Sequence, residues 1–547
     1  MASNGSLKSG MRSEVLEPVI SGRFSDDDDA ILTRLGKKPV LRRNFGFLTI
    51  LGFGCTVLIT WEGSLNVFLV GLQNGGPAGL IYGFIVVWVG TLSLFATLSE
   101  LVSMAPTSGG QYHWVSMLAP PSCRKFLGYL TGWLTLTGWQ ALVAAGAYLT
   151  ATMIQGLIIL THPGYLATIQ DWHSTLLFWA VILFSFSVNI CIGSVLAKLE
   201  GVFLVIHILG FFAVILSITI IGQPSNPEAV WDTWLNLGGW PTQGLSFSIG
   251  VIGNVVAFVG ADGAIHMSEE IRNAPLVIPR SLLTGAMING SLGFAMIVVT
   301  LYYMGDLDAA LAENPTVPFI AIFHNALHST AGAAVLSSIP VVMAFSAMMG
   351  ILASTSRVYW AFARDRGLPG WKALRKVNER TGVPLYSVLT ASIVAIILSL
   401  VTIGGSTAFN AVVSIPVAGL FGSYFITASL LLYRRISGDI VAPGVQHREI
   451  TMNTTTPNLT WGPWRLHGIW GISNNLLSCA FLLYFLFFSF WPPFIQVTPQ
   501  NMNWSILLTG GAIAFSVSYY FLWARKVYTG PIIEITPSLT EETQEMM

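Results

Sequence analysis

The stretch VLITWEGSLNVF, Val57 to Phe68, lies inside a long apolar run yet sets Trp61, Glu62 and Gly63 side by side near the run's middle. An ionised carboxylate in hydrocarbon costs at least about 2.5 kcal/mol on insertion scales, so Glu62 needs a partner, a proton or a water-filled cavity. What surrounds the run decides which, and with it the fold.

The chain has 547 residues, 53% of them hydrophobic, 12% aromatic and 10% charged. A water-soluble domain could not surface itself with that balance, so the sequence is that of an integral membrane protein. A crossing needs about 20 mostly apolar residues. By that measure twelve spans begin near Phe45, Leu80, Phe126, Leu176, Leu199, Leu245, Leu282, Ala333, Leu385, Phe409, Ile469 and Ile506.

Sorting the 26 Lys and Arg by the connection they occupy places every one on the side of the N-terminal tail. The tail holds eight, from Lys8 to Arg43; Arg124 and Lys125 follow span two, Lys198 span four, and Arg272 and Arg280 span six. Seven lie between Arg357 and Arg380, four from Arg434 to Arg465, and Arg525 and Lys526 begin the C-terminal tail. Basic residues stay cytoplasmic during insertion, so both termini are expected inside. A miscounted span would scatter these charges, so the tally checks the count. The expected organisation is a disordered cytosolic arm over 1–44, with the acidic run Asp26 to Asp29, a transport domain over 45–527 and a cytosolic tail over 528–547. The arm lacks the apolar core of a cleavable signal. Cys55, Cys123, Cys191 and Cys479 avoid the outer loops and imply no disulfide framework. The sequons at Asn453 and Asn458 fall on the inner side, away from glycosylation.

Backbone breaks in a membrane helix survive only where protein or a watered cavity satisfies the freed groups. One candidate is Trp61-Glu62-Gly63 in span one. The other is FVGADGA in span six, where Gly260, Asp262 and Gly263 interrupt an apolar run. Five spans separate them, the offset of an inverted repeat of five helices, with spans eleven and twelve as additions. In such folds the broken pair forms the substrate site, and Glu62 is expected to face a cavity. Glycines in membrane helices also serve plain helix packing, but an acid flanked by glycine at both related positions is poorly accounted for that way.

LSELVSMAPTSGGQYHW (Leu98 to Trp114), SEEIRNAPLVIPRSL (Ser268 to Leu282) and ASTSRVYWAFARDRGLP (Ala353 to Pro369) resemble signatures of the amino acid, polyamine and choline transporter family, over about residues 40–527. GLQNGGPAGLIYGFI and MLAPPSCRKFLGYLTGW are similar to its fungal choline and GABA permease branch. The resemblance implies an all-α polytopic protein of twelve helices. Its first ten form a five-plus-five inverted repeat with helices one and six broken, and transport is proton-coupled alternating access. It maps the unwound segment of helix six onto Phe258, Val259, Gly260, Ala261 and Asp262, and the break of helix one onto Thr60 to Ser64. The fungal family usually has glutamate where Asp262 stands. Proton-coupled bacterial relatives carry a lysine midway along helix five, where the nearest candidate is His207 in FLVIHILGF, with no basic side chain beside it. A lone histidine in a membrane helix is more often a packing residue than a relay.

Aromatic rings could cage a quaternary ammonium within about 6 Å, and by position Trp61, Trp139, Phe258 and Tyr359 are the candidates. Most of the 18 tryptophans should be interface anchors. His324 and His328 have a metal-like spacing but no third ligand. No GxxxxGK[ST] or HExxH is present, and nothing calls for a cofactor or nucleic acid. The expected protein is a plasma-membrane permease for a small amine or amino acid, coupled to protons through Glu62, Asp262 and His207. A choline-like cation is preferred and GABA or another amino acid is the alternative. A nutrient sensor with the same fold is the rival class; an enzyme lacks a nucleophile, base and orienting group.

Overall fold

The computed structural model describes residues 26–191, 196–225, 227–400, 406–442, 453–454, 459–499 and 501–535. In chain order, α1 (Asp26–Arg34) precedes α2 (Phe47–Leu58), α3 (Thr60–Met104), α4 (Gln111–Leu118), α5 (Arg124–Thr161), α6 (Asp171–Cys191) and α7 (Leu196–Ile221). Short pieces follow: α8 (Ala229–Asp232), α9 (Gln243–Gly250), α10 (Ile252–Val256) and α11 (Gly263–His266). After α12 (Ala274–Tyr302) come α13 (Leu307–Glu313), α14 (Pro318–Leu327), α15 (Thr330–Arg364), α16 (Trp371–Leu374), α17 (Leu385–Ser399) and α18 (Ser406–Ser437). A parallel two-residue pair, β1 (Ile440–Val441) with β2 (Leu459–Thr460), leads to α19 (Gly468–Phe488) and α20 (Ser505–Leu522).

Among the described residues, nine helices are long and apolar enough to cross a membrane, against the twelve spans read from hydropathy. The difference has a physical origin. Phe47–Met104 runs as one apolar stretch, although Ile59 and Gly76 (φ 68°) each leave helical geometry inside it. The apolar helices Gln243–Val256 and Leu385–Ser399 are shorter than a full crossing.

The helices wear their apolar residues outside. On α7, Val202, Val205, Leu209, Leu216 and Ile220 are all more than half exposed, while Glu200, His207, Phe211, Val214 and Ile218 are buried. Both sets recur at helical spacing, so the face that would be core in water faces lipid and the polar side chains point inward. Gly52 lets α2 approach α7 closely: a Cβ there would lie 2.7 Å from the Glu200 carbonyl oxygen. The inner scaffold packs α3 against α12, and α5 against α15 and α18.

The tails depart from expectation. Asp26–Arg34 is helical, Asp28 accepts from the Asn273 amide at 2.9 Å, and Asp29 pairs with Arg43. Buried Lys37 reaches Asp365 at 2.8 Å and the Ile532 carbonyl at 3.0 Å. The unstructured arm expected over 1–44 is therefore corrected for 26–44, and the C-terminal tail is likewise packed as far as 535; 1–25 and 536–547 lie outside the described residues. Composition hid this, because the partners sit hundreds of positions away. Asn453 is buried on the Met104 and Thr460 carbonyls, while Asn458 lies outside the described residues.

Candidate functional site

The first break falls on Ile59, between α2 and α3, in the left-handed region at φ 36°, ψ 49°. A β-branched residue rarely adopts that conformation. Its surroundings hold it: the Ile59 amide closes α2 on Cys55, and the Thr60 amide, cut off from a helical partner, donates to Asn289 Oδ1 of α12 at 3.1 Å. The site of the break is thus corrected from Trp61-Glu62-Gly63 to Ile59. Those three residues form the first turn of α3, and a Cβ on Gly63 would meet nothing, so that glycine is not what interrupts the helix.

The second break matches the expected segment. Regular helix stops at Val256 and resumes at Gly263, and Phe258, Val259, Gly260, Ala261 and Asp262 run as successive turns between. Gly260 takes φ 114°, where a side chain is strained, and an added Cβ would lie 3.2 Å from Val57 on α2. Ala261 shares a crevice with Gly54 and Leu58. The two broken regions therefore touch.

Glu62 has a partner on another helix. Its Oε1 lies 2.8 Å from His207 Nδ1, both side chains are fully buried, and Trp61 Nε1 donates to the His207 carbonyl at 3.3 Å. The missing partner of His207 is this acid on span one. At the other break, Asp262 Oδ2 accepts from Gln111 Nε2 at 3.1 Å and Trp139 Nε1 at 3.3 Å, and His266 Nε2 lies 3.5 Å away. His266 Nδ1 faces the Ser108 carbonyl at 3.1 Å, an acceptor only, so Nδ1 carries a hydrogen. Nε2 then meets the carboxylate favourably only if that pair holds a further proton. Among the described residues no hydrogen bond joins the two clusters.

Among the described residues no two of the four aromatic candidates make a direct ring contact with each other. Trp61 packs on His207 and Phe211, Trp139 donates to Asp262, Phe258 lies 5.1 Å from Phe84, and the Tyr359 hydroxyl donates to Gln140 at 3.0 Å. Nor do the outer-loop histidines form a metal site: His324 is held by Glu313 at 2.7 Å, His328 ends its helix at φ 51°, and no metal-ligand cluster occurs among the described residues.

Two features escaped the sequence reading. Glu200, buried on α7, bonds Thr56 on α2 just before the break. Its signal was present, seven residues before His207 and so on the same helix face. The three motif stretches also meet in one charge network. Arg364 makes a two-point pair with Glu269 at 2.9 and 3.0 Å, Arg357 pairs with Glu270 at 2.7 Å, the Ser108 amide donates to Glu269, and Tyr112 donates to Asp365. Burial would raise the Glu269 carboxyl, but Arg364 more than reverses this and holds it below its ordinary value.

A family model for amino acid permeases matches residues 45–512. A putative amino acid/polyamine transporter of Macrophomina phaseolina is 29% identical over 457 residues, 83% of this chain and 96% of the relative. The choline transporter of Saccharomyces cerevisiae is 28% identical over 490 residues, 89% of this chain and 83% of its own. An amino-acid permease of Arabidopsis thaliana is 25% identical over 528 residues, covering 93% and 97%. Apolar helices, two touching breaks and a family match over most of the chain lead to one conclusion: the protein is a membrane transporter, not an enzyme, and belongs to the amino acid permease family.

Proposed function

We propose that this chain is a proton-coupled importer of a small amine or amino acid, a choline-like cation before GABA or another amino acid, working by alternating access in the plasma membrane. The observation that carries the reading is the pairing of a buried carboxylate with an imidazole at each break, Glu62 with His207 and Asp262 with His266. Such a pair binds or gives up a proton with a large change in local charge, which biases which way the broken helices face. Twelve spans with both tails cytoplasmic, the first ten in two inverted halves, fit the helix order and the one-sided distribution of all 26 basic residues. The similarity to a choline transporter supports the cation, and the similarity to an amino-acid permease keeps the alternative in play.

The test is uptake into proteoliposomes with an alkaline lumen. Labelled choline should accumulate, collapse on adding a protonophore, and ignore a sodium gradient. GABA accumulation untouched by excess choline would replace the substrate. Uptake that follows sodium would replace the ion, and absence of counterflow exchange for every candidate would favour a sensor.

A further inference from the structure

Helix one is fastened on both sides of its break to the same helix, α7. Beyond the break, Glu62 of α3 meets His207. Before it, the Thr56 hydroxyl of α2 meets Glu200 Oε2, and both side chains are fully buried. Glu200 and His207 stand seven residues apart on one face of α7, and Gly52 and Thr56 stand four apart on the face of α2 that packs on it. Glu200 Oε1 has no hydrogen-bond partner among the described residues. On α7 itself and on the helices packed against it, Lys198 and Arg280 are exposed, Arg357 is held by Glu270, Arg364 by Glu269 and His324 by Glu313, while the Cys55 thiol turns towards Gly285 of α12. Among the described residues none of these makes a hydrogen bond or ion pair with Glu200.

Thr56 bears on the proton count. Its hydroxyl has one hydrogen and two acceptors within reach, Glu200 Oε2 and, at 3.2 Å, the Phe53 carbonyl. With Glu200 ionised, one of those contacts goes unmade. With a proton on Glu200 both become hydrogen bonds: the carboxyl donates to Thr56 Oγ1, and Thr56 donates to the Phe53 carbonyl. A carboxylate shut between membrane helices without a counter-charge is strongly disfavoured as well. Plain helix glue would be served by any hydrogen-bonding side chain, but a carboxyl adds a group that ionises once water reaches it. The sequence says from which side that water comes. Lys198 stands exposed two residues before Glu200, and Arg42 and Arg43 precede α2, so this end of the seam lies on the side expected to be cytoplasmic.

We propose that Glu200 is a proton-operated latch on helix one: protonated, it seats α2 against α7, and once its proton passes to water on the cytoplasmic side it lets α2 draw away. The carboxyl O–H bond breaks, the proton leaves to that water, and the carboxylate takes its hydrogen bonds from water in place of Thr56; reseating α2 requires the proton back. Glu200 is thus a positioning residue that acts through α2. Opening towards the cytoplasm is favoured in an alkaline cytosol and resisted in an acid one, a consequence that rests on the alternating-access reading, whereas the protonated seat does not.

The test needs no substrate. The purified full chain and Glu200→Gln, whose amide can donate to Thr56 as the neutral acid does, are compared in two ways. One is infrared difference spectroscopy at neutral pH; the other is deuterium uptake of α2 peptides from mildly acid to mildly alkaline pH, corrected for intrinsic exchange. Wild type minus variant should show the carbonyl band of a protonated carboxyl. Deuterium uptake in α2 should rise with pH in the wild type, by up to about ten-fold per unit as a single linked proton allows, and stay low and flat in Glu200→Gln. A carboxylate band in place of the protonated one, or α2 exchange in the variant that follows the wild type, would overturn the latch. Choline uptake that ignores a proton gradient, with both of these results as expected, would strike the importer reading and uphold the latch.

Discussion

Glu62 and His207 bind each other's fates more tightly than either binds the rest of the molecule. Among the described residues, Glu62 Oε2 and His207 Nε2 have no hydrogen-bond partner, so each side chain depends on the other for its polar contact. Removing one partner of a buried charged pair typically costs 3–5 kcal/mol, while removing both costs far less. Glu62→Leu and His207→Leu should therefore each lower the unfolding temperature of the purified protein clearly, and the double variant Glu62→Leu/His207→Leu should recover part of the loss. Additive single effects in that double-mutant cycle would show that the pair contributes nothing as a pair. Glu62→Gln should also shift the pH dependence of uptake, and an unaltered profile would remove Glu62 from proton coupling. The sequence made both residues visible as oddities within apolar runs. It could not make them a pair, because they are 145 positions apart with three helices, α4 to α6, between them.

At the scale of elements, the breaks are stabilised from outside the helices they interrupt. The Thr60 amide depends on Asn289, and with no water in a bilayer core an orphaned amide there costs about 1–3 kcal/mol. Asn289→Leu should lower thermal stability by that order and impair transport, whereas Asn289→Asp, which keeps the acceptor, should retain most of both; equal damage by the two variants would assign the effect to packing. Gly260→Ala should be harmful through its φ of 114° and its contact with Val57, and a silent Gly260→Ala would mean that the turn relaxes freely. Helix six's break was legible because Gly-Ala-Asp-Gly needs unusual backbone. Helix one's was misplaced onto Gly63, since nothing in the identity of Ile59 announces a left-handed residue that Asn289 makes tolerable. Likewise Gly76 and Pro77 turn the chain within Phe47–Met104, a bend that separates two apolar runs hydropathy had already counted apart.

Over the whole molecule, the three motif stretches and both tails converge on one buried network, and this makes stability depend on pH. His113 on α4 is pushed down to about 4, chiefly by burial and then by the nearby Lys37. Its unfolded value is 6.5, so the unfolded chain binds the extra proton first, and stability falls as pH drops from about 6.5 to about 4. The loss should reach about 3 kcal/mol, from 1.36 kcal/mol per unit. His113→Gln should flatten that part of the thermal unfolding profile; an unchanged slope would place the dependence elsewhere. Asp365 acts at lower pH. Burial would raise it, Lys37 and Arg364 outweigh burial, and the net depression gives stability that is present above its ordinary value of 3.8 and lost only as pH falls below it. The motifs could be recognised in the sequence. That they clamp one another could not be read there, because the network closes only when α15, the turn after α11 and both tails are brought together.

The same tails have a further consequence. Beyond Lys37, the Gly36 carbonyl accepts the Glu534 amide at 2.7 Å, and the Lys38 amide donates to the Glu534 carboxylate at 3.0 Å. The chain around 534 is thus fastened to the chain around 36, which makes the stretch between them a ring with a non-covalent clasp. A ring can be opened elsewhere: a peptide bridge from 535 to 26 long enough to run the length of α1, with new ends cut into the exposed turn around Gly370, should give a circular permutant that still folds, since the closure entropy is already met by the clasp.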